Sequence, residues 1–179
     1  MSTLTLLSVS SDEFSDIVNL LEESHPNECI ISIHKIVNPE FEKRFEQCRT
    51  MLTELRGKAP KQCRAFHGCS TQSAENIARS GFNIDYNKVS AYGRGTYFGG
   101  MYGVSRSYSV TKKQKDVDYH ALIVADILLG KCGRTNSGQE IDPANFDASV
   151  DRLDSPAVIC LALDDAAIPR YFVQFYVTQ

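Results

Sequence analysis

Three short stretches carry the residue types that could hold a flat ligand and act on it. The first is Tyr92-Gly93-Arg94-Gly95-Thr96-Tyr97-Phe98-Gly99-Gly100, with four glycines and three aromatics in nine residues. Glycine allows the backbone to turn through positive φ and a ligand to lie against it, and aromatic rings supply faces for stacking. The second is His67-Gly68, a ring nitrogen beside a bare backbone, and the third is Ser105-x-x-Tyr108, a hydroxyl and a further ring. Tyr97, Ser105 and Tyr108 suit the clamping of a planar amide, provided that the fold makes them converge. A glycine-rich bend packed with core aromatics uses the same residue types, so the rest of the chain has to decide.

Other chemistries find less support. The dinucleotide fingerprint G-x-G-x-x-G is absent: after Gly93 and Gly95 the third glycine, Gly99, comes one residue late, and no long helix follows. There is no phosphate-loop lysine motif. A cysteine–histidine hydrolase through Cys69 and His67 lacks a base-orienting partner, and the two-residue spacing is expected to turn them apart. The cysteines (Cys29, Cys48, Cys63, Cys69, Cys132, Cys160) form no C-x-x-C pair and share no ligand spacing with His25, His34, His67 and His120, so no metal site is expected.

At 179 residues, 42% hydrophobic and 23% charged, the chain reads as one globular domain, 1–179. A net charge of −3 and a pI near 5.8 give no electrostatic reason to expect nucleic acid or a membrane. The short basic cluster Lys112-Lys113-Gln114-Lys115 is answered by Asp116 and Asp118 and reads as a solvated loop. The first residues lack a charged n-region, and no apolar run is long enough to span a bilayer. An intracellular protein, cytoplasmic or nuclear, with reduced thiols is expected, specialised secretion remaining open.

The elements that must position these residues follow from periodicity. Residues 3–9 and 28–37 read as strands. Ser10-x-x-Glu13 resembles a capping box ahead of a helical face of Phe14, Ile17, Val18 and Leu21. Asn38-Pro39 opens a helix whose stripe is Phe41, Phe45, Cys48, Leu52 and Leu55, ending before Gly57. Cys63–Gly68 is a short strand, and a helix capped by Ser70 or Thr71 runs to Gly81. A polar loop, 83–90, precedes the glycine-aromatic stretch. Residues 119–129 form a near-continuous apolar run suited to a central strand, 131–156 a long loop, and 157–163 and 171–177 two last strands around a turn at Asp164-Asp165 and Pro169. Many short strands with few intervening helices argue for antiparallel α+β.

Taken in order, Phe66-His67-Gly68, Ile77, Gly81-Phe82, Tyr92 to Phe98 and Ser105-x-x-Tyr108 resemble the catalytic domain of poly(ADP-ribose) polymerases, in the subgroup that transfers single ADP-ribose units. Lys35 to Phe45 is similar to that family's first conserved helix, and Pro169-x-Tyr171-Phe172 to its last strand. The likeness runs from about Ser11 to Val177.

The resemblance implies the ADP-ribosyltransferase fold, split antiparallel β-sheets with a few flanking helices, with NAD as substrate and no metal. By similarity His67 bonds the adenosine ribose, and Gly68 grips the nicotinamide carboxamide through its backbone. Ser105 is a further donor, and Tyr97 and Tyr108 sandwich the ring. His67, Tyr97 and position 158 make up the family's catalytic set. That last position is a glutamate in polymer-forming members, eleven residues before the proline of the last strand; here it is Val158. Valine accepts no hydrogen bond, so chain elongation should fail while single transfer remains open. Cys69 stands where Thr or Ser is usual, Ala166 where Gln is frequent, and the 83–90 loop is short. Residues 1–60 are taken up by the core, leaving no room for the family's regulatory helical domain. The expected acceptor is a protein side chain. A catalytically silent module that binds NAD or a partner, transfer to nucleic-acid ends, and a secreted effector stay open as alternatives.

Overall fold

The apolar run at 119–129 forms the middle of a sheet. The structure, a computed structural model, describes residues 1–22, 28–87, 91–109, 112–114, 117–139, 142 and 144–178. His25, Lys115, Asp116 and the end of the 83–90 loop, all named above, lie outside the described residues. Strand β6 (Val117–Leu129) pairs antiparallel with β10 (Ala167–Thr178) on one side and β3 (Lys61–Cys69) on the other. Beyond β10 come β2 (Glu28–Val37) and β1 (Thr3–Leu6). Beyond β3 come β4 (Thr96–Gly99), β9 (Val158–Leu161), β8 (Ala148–Val150) and β7 (Cys132–Arg134), and β5 (Lys112–Gln114) pairs with the start of β6. Among the described strand pairs only β7–β8 is parallel.

The composition of β6 follows from its position. Side chains alternate between sheet faces, and here both faces are covered. Ile123, Ala125 and Ile127 join a cluster with Phe41, Phe45 and Leu52 of helix α2 (Pro39–Arg56) and Ala74 and Ala78 of α3 (Thr71–Ser80). Leu122 and Val124 join a second cluster with Ile17 and Leu21 of α1 (Asp12–Glu22) and Tyr102 of α4 (Tyr102–Arg106). Each fully buried Ile, Leu or Val of β6 contributes about 1.5–3 kcal/mol, so β6 anchors whatever is built on its neighbours. Asp126 ties three strands together, accepting from Arg64 Nε of β3 at 2.8 Å and Arg170 Nε of β10 at 2.7 Å.

Local signals account for the helix ends. Asn38 accepts the Glu40 N–H at 3.0 Å, and Gly57 ends α2 at φ +65°. Ser70 Oγ accepts the Ser73 N–H at 3.1 Å to start α3. Several details differ from the sequence expectation. Ser11, not Ser10, caps α1, accepting the Phe14 N–H at 3.2 Å. Leu55 is 61% exposed and lies outside the buried stripe of Phe41, Phe45, Cys48 and Leu52, which Arg56 continues by pairing with the buried Asp147 at 2.8 Å. β3 starts earlier and ends later than Cys63–Gly68. Lys112–Gln114 is a strand rather than a loop, and residues 131–156 hold β7 and β8, each too short to show a periodicity. Pro169 lies inside β10, where the register with β6 shifts between Pro169 and Tyr171; such an irregularity accommodates a residue with no N–H to give the ladder.

The antiparallel α+β expectation holds, and the split in the sheet has a definite place. β3 and β4 meet at a single described pair, Phe66 with Gly99, so the five-strand run β1–β2–β10–β6–β3 is joined to the short strands β4–β9–β8–β7 by one residue pair.

Candidate active site

At that junction a side chain replaces the ladder. Ser105, from α4 and 3% exposed, donates its hydroxyl proton to Phe66 O at 2.6 Å and accepts the Gly99 N–H at 2.9 Å. A hydroxyl has one proton to give, and here it goes to the protein backbone. Ser105, expected as a ligand donor, therefore first of all bridges the two halves where β4 leaves β3. Phe66 turns its carbonyl toward this gap, and along an extended strand residues two apart present their polar groups to the same edge. Gly68 thus aims its N–H and C=O into the space that β4 vacates. Its missing side chain serves the opposite need: a Cβ there would stand 1.9 Å from Ser105 O and 3.0 Å from Ser109 N. Glycine at 68 lets α4 close onto β3.

His67 points to the other face of β3. Its Nδ1 lies 2.7 Å from the Tyr97 carbonyl oxygen. A carbonyl only accepts, so Nδ1 carries the proton and Nε2 is the acceptor of the neutral ring. Burial pushes the His67 pKa below its ordinary 6.5, against the opposing effect of the bond to Tyr97 O. The ring packs edge-on to Phe82 at 5.5 Å and tilted to Phe98 at 5.7 Å between centroids. Cys69, two residues on along a regular strand, shares this face rather than turning away. Burial raises its thiol to about 12, which removes the thiolate a cysteine nucleophile requires.

The glycine-aromatic stretch forms the facing wall, and its side chains hold it closed. Tyr97 Oη accepts the Tyr92 N–H at 2.7 Å and donates to Gly93 O at 2.6 Å, so the ring expected to stack also latches its own loop. Gly93, at φ +97°, makes the turn that brings its carbonyl back to that hydroxyl. Ser149 Oγ of β8 donates to Tyr92 O at 2.6 Å, and Asn87 Nδ2 donates to Gly95 O. Ser149 and Asn87 have no recognisable spacing from Tyr97 in the sequence, and no signal there could have found them.

Between these walls lies a cleft of about 390 Å³. His67, Gly68, Ser105 and Tyr108 line it on the β3–α4 side, and Tyr97 and Val158 on the β4–β9 side. These six, expected as site residues from the sequence, all border this one space, whereas Gly93, Arg94 and Gly95 of the glycine-aromatic stretch do not line it. Tyr108 is 65% exposed and stands at its mouth, and Val158 is half-buried beside Gly99. Sequence reasoning missed Tyr86, Ser70 and Ser73, which also line it. Tyr86 is 83% exposed and sits in a loop without a motif, Ser70 reads only as a helix cap, and nothing in the sequence singles out Ser73. Among the described residues, no charged side chain lines the cleft, and none form a group of three or more suited to a metal ion. Among them too, no helix is long and apolar enough to cross a membrane.

The fold and the cleft define a split-sheet α+β domain with a cleft lined by tyrosines at its junction. The family model for the poly(ADP-ribose) polymerase catalytic domain matches residues 11–170, and the chain belongs to that family. It is 28% identical over 187 residues to mouse protein mono-ADP-ribosyltransferase PARP10, an alignment covering 100% of this chain and 18% of that protein. It is 25% identical over 179 residues to human protein mono-ADP-ribosyltransferase PARP12, covering 94% of this chain and 25% of that protein. The chain therefore spans a quarter or less of the length of these relatives.

Proposed function

We propose that this domain is an NAD-dependent mono-ADP-ribosyltransferase that moves one ADP-ribose from NAD to a protein acceptor and releases nicotinamide. The observation that carries the reading is the open edge at Gly68, flanked by Tyr97 and Tyr108 and closed off by aliphatic Val158. Gly68 N–H and C=O pair with the carboxamide, which fixes the ring in its plane. Tyr97 and Tyr108 cover its faces, and His67 Nε2 accepts from a ribose hydroxyl. The bond between the nicotinamide nitrogen and ribose C1′ breaks, and its electron pair leaves with nicotinamide. C1′ then takes a lone pair from the acceptor, any proton on the attacking atom passing to solvent.

Val158 decides how far this goes. A carboxylate there would bind hydroxyls and stabilise the charge that develops at C1′; valine does neither. An acceptor that brings its own carboxylate supplies that stabilisation, whereas the hydroxyl of an attached ADP-ribose has no base to activate it. One unit per acceptor site is the expected product. The proposal takes 1–179 as a single catalytic domain working inside the cell, the domain reading in keeping with the family match over residues 11–170.

Intact-mass spectrometry after incubation with NAD tests this. Addition of single ADP-ribose units with release of nicotinamide is expected, and serial addition on one site would refute the assignment to mono-transfer. Neither addition nor release, with saturable binding of a non-reactive NAD analogue, would select the second reading, a silent NAD-binding module, which Val158 favours. A 5′-phosphorylated oligonucleotide in a parallel tube reports transfer to nucleic acid.

A further inference from the structure

The connection from β8 to β9 is more tightly held than a hairpin of its length requires. Asp151 Oδ1 accepts the N–H groups of both Ala157, at 2.9 Å, and Val158, at 3.0 Å, and the Asp151 N–H donates to Val158 O at 3.3 Å. Bonds to an ionised oxygen are roughly twice as strong as neutral ones, so one carboxylate pins both residues at the start of β9. At the loop tip, Arg152 Nε donates to Ser155 O at 2.8 Å, and Ser155 holds φ +48°, the one positive value at a described non-glycine residue. Such backbone persists only where its surroundings enforce it. The loop then seats on the neighbouring strand end. Gly100 N–H donates to Ala157 O at 3.0 Å, and a Cβ at Gly100 would stand 2.0 Å from Pro156 O.

These contacts converge on Val158, the aliphatic side chain that β9 gives to the cleft. Val158 pairs with Gly99, whose N–H is held by Ser105. We propose that Asp151 is a positioning residue that fixes Val158 at the acceptor side of the cleft and so sets how ADP-ribose is shared between acceptor and water. The proposal rests on the transfer reading above. Once the C1′–nicotinamide bond breaks, the nicotinamide nitrogen keeps the electron pair, and C1′ bonds either to an acceptor atom or to a water oxygen. Water yields free ADP-ribose and a proton to solvent. A fixed Val158 occupies space that water would otherwise use, without touching the carboxamide grip at Gly68.

The test measures, for the whole chain acting on itself, the fraction of released nicotinamide matched by protein-bound rather than free ADP-ribose. This ratio is independent of how much of a preparation is active. Asp151→Ala should lower it about tenfold, and Asp151→Asn, which keeps a neutral acceptor for both N–H groups, about threefold. Benzamide, a probe of the carboxamide grip alone, should bind both variants within about twofold of wild type. A ratio unchanged in Asp151→Ala, or benzamide binding lost in step with transfer, overturns the proposal and makes Asp151 merely structural. Should Asp151→Ala not fold, Asp151→Asn decides: the threefold fall supports the proposal and its absence overturns it. A wild-type protein that releases no nicotinamide removes the transfer reading and this proposal with it, an outcome distinct from a turning-over enzyme with an indifferent Asp151.

Discussion

The two parts of the sheet that face each other across the cleft are held together by different means. On the β3 side the strands nearest the cleft are long, with 13 residues in β6, 12 in β10 and 9 in β3, and backbone ladders and two-faced burial fix them. On the far side β4 and β9 have four residues each, and β8 and β7 three. Ladders that short hold little, and side chains substitute for them: Ser105 between Phe66 and Gly99, Tyr97 Oη on its own loop, Ser149 on Tyr92, and Asp151 on β9. The carboxamide edge at Gly68 thus belongs to the rigid part. The stacking ring and the Val158 corner belong to a part whose geometry rests on a handful of polar side chains. Single substitutions should separate the two.

The largest effect is expected at the junction itself. Gly68→Ala puts a methyl 1.9 Å from Ser105 O, a backbone clash that no rotamer relieves. It should cost about 3 kcal/mol or more, read as a lowered denaturation midpoint, with benzamide binding lost. A variant as stable as wild type would mean that α4 is free to move off β3. Ser105→Ala comes next. It leaves Phe66 O and Gly99 N without their bridge at a buried site and should cost about 2 kcal/mol. The loss should fall on the short-strand side, so hydrogen exchange should quicken in β4 and β9 while β6 and β10 stay protected; uniform loss would contradict the division drawn here.

Val158→Glu tests the chemistry rather than the frame. Val158 is half-buried and borders the cleft, so a glutamate has solvent to reach and the fold should tolerate it. NAD turnover should rise about tenfold, or about 1.4 kcal/mol off the barrier. Unchanged turnover in a folded variant would show that the acceptor already supplies all the stabilisation the step can use. Tyr97→Phe is smaller and separates two functions of one residue. The ring stays, the hydroxyl bonds to Tyr92 and Gly93 go, and about 1 kcal/mol of stability should go with them. Benzamide affinity should fall only slightly; a complete loss would mean that stacking depends on the latch.

How much of this was legible in the sequence divides along the same line. β6 and α2 announced themselves because burial on both faces or along one stripe leaves a long periodic record, as in 119–129 and Phe41 to Leu52. The short strands did not, since three residues such as Cys132–Arg134 cannot display a period. The residue types point to Tyr97, Ser105 and Tyr108, and the resemblance adds roles for these and for His67, Gly68 and Val158; all six line the cleft. What stayed hidden was the structural duty of those same residues. That the Ser105 proton goes to Phe66 O, or that Tyr97 Oη closes its own loop, depends on three-dimensional neighbours with no fixed offset in sequence. Gly95 belongs to the stretch whose glycines suit a ligand lying against the backbone, yet a Cβ there would strike Leu161 O of β9 at 2.3 Å, which makes it a packing glycine.

The smallest expected effect concerns His67, which meets β4 through Tyr97 O and the Phe98 ring. Burial holds the imidazole below its ordinary 6.5, so the unfolded chain binds this proton more tightly than the folded one. The sign follows: stability from neutral His67 is fully present above about pH 6.5 and is lost as pH falls toward the depressed folded value. One group can give a slope of at most about 1.4 kcal/mol per pH unit. The loss does not come from the bond to Tyr97 O, because Nδ1 keeps its proton in both forms; it is the cost of charging a ring packed between Phe82 and Phe98. Chemical denaturation between pH 7.5 and 5.5 should therefore show a shallower pH dependence for His67→Gln than for wild type. Equal slopes would mean that His67 titrates alike in both states, and that water reaches its ring from the short-strand side.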